Sequence, residues 1–216
     1  MDPMSTPEIR DGWVVVVPVK PAALGKTRLT AVGADREALA RAIALDTIAA
    51  VAATARVRRV LVVTDDPEVR THVAPWPAVD VIAEGDVRGL DGAIALGAEA
   101  AGVGAARAAL LGDVPALTPH DLDAALGLAG TVERGLVPDA EGTGSTMITA
   151  RPGAVWVSAF GVDSAARHRL LGCTDLAVPR GSTLRRDVDT AAQLAEAAGL
   201  GLGPRTAAVL GSTAAA

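Results

Sequence analysis

The sequence predicts an α/β fold, Rossmann-like, with a mostly parallel mixed sheet flanked by helices. Short apolar, β-branched runs recur along the chain, and stretches with apolar residues at helical spacing separate them. Charged or glycine-bearing loops follow the runs. Alternation of this kind builds parallel sheets, because each parallel pairing needs a crossover that a helix supplies.

The first run is Trp13-Val14-Val15-Val16-Val17-Pro18-Val19. It is continuous where a half-exposed strand would alternate, the pattern of a strand buried on both faces. Val60-Leu61-Val62-Val63 comes second and ends in Thr64-Asp65-Asp66-Pro67. Val79-Asp80-Val81-Ile82 is third, and Ala108-Ala109-Leu110-Leu111 is fourth, closing on Gly112-Asp113. Between them the spacing predicts helices over 35–55, with Asp35 as N-cap, and over 90–101 and 119–129. Farther on, 135–138 and 146–150 read as strands around a polar loop, 163–171 as a short helix, 175–178 as a strand and 190–198 as the last helix. A single domain over 12–210 is expected, with disordered tails at 1–11 and 211–216.

Half of the 216 residues are apolar, enough for a sizeable core. The formal net charge of −5 argues against nucleic-acid binding through a general basic field. Cys173 is the single cysteine, so no intrachain disulfide can form and a reducing compartment fits. The opening Met1-Asp2-Pro3-Met4 lacks a basic leader region, and Val14 to Val17 is too short for a membrane span. A cytoplasmic protein with no membrane association is expected.

Ligands of open α/β sheets bind where the strands end, and four segments there could carry chemistry. Lys20, Lys26 and Arg28 follow the first strand. Gly25-Lys26-Thr27 is not a phosphate-binding P-loop, since Lys20 stands where its first glycine is required. These cations could hold a triphosphate by charge and guanidinium contacts, and serve equally well as solvated surface charges. In the second segment, Asp113 directly follows a buried strand, where a metal or a ribose hydroxyl would be met or where a turn aspartate caps its own loop.

The third is Arg185-Arg186-Asp187-Val188-Asp189-Thr190. Residues two apart in extended chain face the same side, so the carboxylates of Asp187 and Asp189 repel unless a cation or an arginine neutralises them. Mg²⁺, which takes oxygen ligands, would do so. Alternatively Asp189 or Thr190 caps the last helix while Asp187 pairs with a neighbouring arginine. The fourth has two parts, Glu141-Gly142-Thr143-Gly144-Ser145-Thr146 and Phe160-Gly161-Val162-Asp163-Ser164-Ala165-Ala166-Arg167-His168. A helix starting at Asp163 or Ser164 would offer N–H groups to a phosphate or carboxylate, with Arg167 adding positive charge, or would simply be an ordinary capped helix.

His72, His120 and His168 have no partner at metal-ligand spacing, which argues against zinc. No nucleophile elbow is present. Cys173 reads as a small core residue, and Trp13, Trp76 and Trp156 are too spread to form a base-stacking platform.

Taken in order, these segments resemble the phosphoenolpyruvate/2-phospho-L-lactate guanylyltransferase family (CofC/FbiD) of coenzyme F-420 biosynthesis. The matching pieces are Val17-Pro18-Val19-Lys20 with Lys26-Thr27-Arg28-Leu29, then Gly112-Asp113-Val114-Pro115-Ala116-Leu117, then Gly142-Thr143-Gly144-Ser145-Thr146. The segment from Phe160 to His168 and Leu184-Arg185-Arg186-Asp187-Val188-Asp189-Thr190 complete the set, which spans nearly the whole chain.

The resemblance implies a nucleotidyltransferase fold of the nucleotide-diphospho-sugar transferase (GT-A-like) type. The implied reaction moves GMP from GTP to phosphoenolpyruvate or 2-phospho-L-lactate and releases pyrophosphate. It further implies Mg²⁺ held by Asp113, Asp187 and Asp189, an acid cradled by Ser145, Gly161 and Ser164, and GTP phosphates held by Lys20, Lys26 and Arg28. The downstream transferase of the pathway is the implied protein partner. Two positions depart from the family: Asp91 stands where relatives tend to carry asparagine, in a segment expected to border the nucleotide, and Ser145 where they can carry threonine. The residues by themselves leave open a related enzyme acting on a molybdopterin or sugar phosphate, and a non-catalytic nucleotide-binding module.

Overall fold

β1 (Trp13–Pro18) lies within a seven-stranded sheet and is buried along its whole length. The computed structural model describes residues 12–24, 29 and 35–214. β1 pairs in parallel with β2 (Val57–Val63) and β4 (Ala106–Leu110), and β2 pairs in parallel with β3 (Val79–Ile82). Beyond β4 the direction reverses: β6 (Ser145–Ala150) runs antiparallel to both β4 and β5 (Arg134–Pro138). The two-residue β7 (Thr174–Asp175) ends the order β3-β2-β1-β4-β6-β5-β7.

The valine run of β1 works as a two-sided strand. Trp13, Val15 and Val17 pack into the core under α1 (Arg36–Ala52), α2 (Pro67–Val73) and α4 (Pro119–Ala129), against Ile48, Val69 and Leu122 among others. Val14 and Val16 face the opposite core, with Ile94 of α3 (Leu90–Ala101) and Ala165 of α5 (Ser164–Leu170). Successive residues point to opposite faces, so the run feeds two cores at once. A third cluster joins Leu39 and Ile43 of α1 to Leu194 and Ala197 of α6 (Ala191–Leu200), with Val209 and Leu210 of α7 (Pro204–Ala214) packed against it.

The predicted strands and helices are present, with three differences. α2 was not expected, although Asp66 caps it through the N–H groups of Glu68 and Val69 and Pro67 opens it. The strand expected over 175–178 stops at Asp175, because Val178 N–H turns back to Leu176 O at 2.7 Å and Pro179 follows. α7 lies beyond what the sequence predicts as the last helix and runs through Ala214, past the start of the expected tail; its sequence has low helix propensity, and packing of Val209 and Leu210 against the third cluster holds it. Among the described residues no helix is long and apolar enough to cross a membrane.

α7 has no capping side chain of its own at Gly203-Pro204. The buried Asp46 of α1 supplies one, accepting from Thr206 N–H at 2.7 Å and Arg205 N–H at 3.2 Å. Asp46→Ala should therefore cost about 2 kcal/mol of stability, by loss of a cap and exposure of two buried donors. Urea unfolding followed by circular dichroism measures this, and a midpoint equal to wild type would show that the contact contributes nothing.

Candidate active site

Antiparallel β6 brings its first residue to the end of the sheet where the parallel strands finish. Leu110 pairs with Met147, and Leu111 N–H donates to Thr146 O at 3.0 Å. Ser145 therefore meets the residues that follow β1, β4 and β5, and together they surround a cavity of about 740 Å³, within the usual range for small-ligand clefts. Seven residues singled out from sequence line it: Lys20, Asp113, Ser145, Gly161, Ser164, Asp187 and Asp189. Lys26 and Arg28 lie outside the described residues.

One wall is acidic. Asp113 is fixed where Val114 N–H donates to the buried Thr47 Oγ1 at 3.1 Å, and its own carbonyl accepts Val188 N–H at 3.0 Å. That second bond lays the 187–189 segment beside the end of β4. Carboxylate oxygens of Asp139, Glu141 and Asp187 lie within 4.8 Å of one another. Burial, then the carboxylates of Asp113, Asp139 and Asp189, push the Asp187 carboxyl up to about 7. Of the alternative account of this segment, the Thr190 cap is present, and the pairing of Asp187 with a neighbouring arginine is not. Thr190 caps α6 in a reciprocal box with Gln193, Arg185 binds the carbonyls of Pro138 and Asp139, and Arg186 pairs with Glu196 at 2.7 Å. Crowded oxygen donors of this kind suit a hard divalent cation.

Neither Asp139 nor Glu141 was singled out from sequence as a metal ligand, though Asp139 directly follows β5 and Asp113 comes shortly after β4. The Asp139 carboxylate accepts from Thr143 N–H at 3.0 Å and Gly144 N–H at 2.7 Å. A side chain at position 144 would put its Cβ 2.3 Å from Asp139 Oδ2, so glycine is required there.

The other wall carries hydroxyls. Ser164 Oγ donates to Ser145 Oγ at 3.2 Å, and both residues are buried. Behind them, His168 Nδ1 lies 2.8 Å from Ser145 Oγ, and Ala159 N–H donates to His168 Nε2 at 2.9 Å. Gly161, at φ 107°, turns the loop from this anchor into α5, and Ala165 N–H donates to Thr143 O at 3.0 Å, tying α5 to the glycine loop. Burial lowers the His168 imidazole to about 4, with Asp91 opposing and Arg167 assisting.

Contacts add detail to two sequence expectations. Arg167 is a loop clasp: its guanidinium donates to Phe160 O at 2.8 Å. α5 starts at Ser164 with no side-chain cap bond from Asp163, so the ordinary capped helix of the alternative reading is not what forms. In the segment expected to border the nucleotide, Leu90 lines the cavity, while the Asp91 carboxylate accepts Phe160 N–H at 3.0 Å and so anchors the same loop. An asparagine Oδ1 could make that bond equally well.

The family model described as "Guanylyl transferase CofC like" matches residues 13–169. The chain belongs to this family. The matched segment contains the hydroxyl wall and Asp113, Asp139 and Glu141 of the acidic one, with Asp187 and Asp189 beyond it, and similarity to relatives extends over most of the chain. Identity is 47% over 206 residues with the phosphoenolpyruvate guanylyltransferase of Salinispora arenicola, covering 94% of this chain and 95% of that protein. With the protein of the same name from Streptomyces coelicolor it is 45% over 204 residues, covering 91% and 95%. Among solved structures, a nucleotidyl transferase from Methanothermobacter thermautotroptrophicus superposes at TM-score 0.56 with 15% identity, over 86% of this chain and 95% of that one. A 4-diphosphocytidyl-2C-methyl-D-erythritol synthase from Anaerococcus prevotii gives 0.57 with 9% identity, over 87% and 94%. The fold is thus that of nucleotidyltransferases.

A buried histidine with a depressed pKa makes stability depend on pH. Above about pH 6.5 His168 is neutral in both folded and unfolded chains; as pH falls from there towards 4, the unfolded chain binds the proton first and stability drops. The loss should reach about 2–3 kcal/mol. His168→Gln should flatten this part of the profile in urea midpoints taken between pH 7 and pH 4.5. A variant slope equal to that of wild type would contradict the assignment.

Proposed function

We propose that this chain is a guanylyltransferase that transfers GMP from GTP to phosphoenolpyruvate, releasing pyrophosphate, in the biosynthesis of the deazaflavin coenzyme F-420. One observation carries the reading: a single cavity sets a carboxylate wall against a hydroxyl wall. The names of the family relatives support the choice of substrate class.

The reaction calls for no nucleophile from the protein. The acceptor phosphate is largely dianionic near neutral pH, since its second pKa is about 6. Its oxygen attacks the α-phosphorus of GTP, the bond from that phosphorus to the bridging oxygen breaks, and pyrophosphate leaves with the electron pair. The chain must therefore place two anions in line and neutralise them. Lys20, exposed at the cavity, with Lys26 and Arg28, takes the GTP phosphates in this reading. Ser145, Gly161 and Ser164 cradle the acid, with the two hydroxyls as donors. Asp113, Asp187 and Asp189 would hold Mg²⁺, with Asp139 and Glu141 beside them; bound there, the cation supplies charge neutralisation for the phosphates. 2-Phospho-L-lactate is the nearest alternative acceptor: it has the same three carbons with a methyl in place of the methylene, and apolar differences of about that size are worth about 1–3 kcal/mol of discrimination. GTP is a cytoplasmic metabolite and Cys173 is a buried thiol, so we place the reaction in the cytoplasm.

The test is pyrophosphate release from GTP with Mg²⁺, comparing phosphoenolpyruvate, 2-phospho-L-lactate, 3-phosphoglycerate and no acceptor. Release that depends on phosphoenolpyruvate is expected, and release indifferent to the acid would overturn the proposal.

Asp113→Asn and Asp187→Asn should each lower kcat by about a hundredfold or more without loss of the folded circular-dichroism spectrum. Wild-type turnover in either variant would remove the acidic wall from the mechanism.

A further inference from the structure

Ser145 and Ser164 share two hydroxyl hydrogens across 3.2 Å, and the direction of those hydrogens is set from behind, by His168. The imidazole is buried and meets Phe160 edge-on, with ring centroids 4.9 Å apart. Ala159 N–H can only donate, so the Nε2 it reaches at 2.9 Å must present a lone pair. A neutral ring with a lone pair on Nε2 carries its hydrogen on Nδ1. Nδ1–H then donates to Ser145 Oγ at 2.8 Å.

Ser145 Oγ thus accepts from His168 and from Ser164, which occupies both of its acceptor positions. Its own hydrogen is left to point at the cavity that Ser145 and Ser164 line. Were Ser145 to donate to Ser164 instead, the Ser164 hydrogen would be displaced into the cavity. Either way, one O–H of the pair faces outward.

We propose that His168 is a positioning residue: held as the Nδ1–H tautomer by the Ala159 amide, it orients the Ser145–Ser164 hydroxyl pair to donate to an oxygen of the phosphorylated acid. This rests on the reading that the acid binds beside these two serines. His168 transfers no proton in this role. The low imidazole pKa keeps the ring neutral, and the donor direction fixed, at working pH. The ring also anchors Ala159, next to the Phe160 carbonyl and amide held by Arg167 and Asp91, so an effect on loop order has to be separated from an effect on the hydroxyls.

Two conservative variants separate them. Asparagine sets an amide N–H near the Nδ1 position and keeps the donor to Ser145; glutamine reaches the Nε2 position and keeps the Ala159 contact alone. With GTP saturating, His168→Leu should raise KM for phosphoenolpyruvate about tenfold or more, with KM for GTP within about twofold of wild type. His168→Asn should recover most of the acceptor KM and His168→Gln should not. A folded leucine variant with wild-type acceptor KM, or glutamine recovering as well as asparagine, overturns the proposal; if the leucine variant does not fold, the asparagine–glutamine comparison decides. Nitrogen-15 NMR of histidine-labelled wild type reads the tautomer without any turnover: protonated Nδ1 with bare Nε2 is expected, and the reverse overturns the proposal. Wild type that turns over normally beside an unaffected, folded leucine variant refutes the role of His168 alone. Wild type that binds GTP yet releases no pyrophosphate with the acid refutes the proposed function, and this proposal with it.

Discussion

The antiparallel insertion of β6 between β4 and β5 is the constraint on which the site depends. Had β6 run parallel to β4, Ser145 would sit at the far end of a six-residue strand, about 20 Å from the ends of β1 and β4. Reversal puts the first residue of β6, the last of β5 and the short loop between them at the same end of the sheet as Lys20 and Asp113. The register shift at Pro138, opposite Ser145, marks where pairing stops and the loop begins. Asp139 then folds that loop by accepting two of its backbone N–H groups, so one side chain both shapes the hydroxyl wall and belongs to the acidic one.

That double use explains where the fold accepts strain and where it avoids it. Carboxylates gathered in a half-buried cavity repel one another, and Asp187 answers by holding its proton far more tightly than a solvated aspartate. Arg185 and Arg186 could have neutralised the cluster, but the first is spent on the carbonyls of Pro138 and Asp139 and the second on Glu196. The arginines thus brace the segment that carries the aspartates instead of pairing with Asp187. Stability is conceded at the site and recovered elsewhere, in the two cores that share β1 and in the α1–α6–α7 cluster.

Much of this architecture is legible in the sequence, since it rests on local pattern. The unbroken valine run predicts a central strand, and the bounds of α3 and α4 follow from helical spacing. Features that rest on contacts between distant residues were not legible. Asp91 and Phe160 are 69 positions apart, and Arg185 and Asp139 are 46 apart, so no periodicity links them. The capping aspartate of α2 carried a usable signal, Asp66 followed by Pro67, but seven residues are too few for spacing to declare a helix. His168 is the instructive case. Scattered histidines argue against zinc, yet that argument says nothing of a single ring wedged behind a serine pair.

Burial acts on the two walls in opposite senses with one result. It raises the carboxyl of Asp187 and lowers the imidazole of His168, because in both cases it disfavours the charged form. An apo cavity near neutral pH is therefore less charged than its composition suggests, with a proton retained on the acidic wall and none added to the ring. In the proposed reaction, Asp113, Asp187 and Asp189 would hold a cation, whose charge would offset repulsion between that wall and phosphate. The neutral hydroxyl wall stays unchanged throughout, which suits it to the acceptor. A donor of fixed direction discriminates by shape and hydrogen bonding, and it does so whatever the charge of the opposite wall.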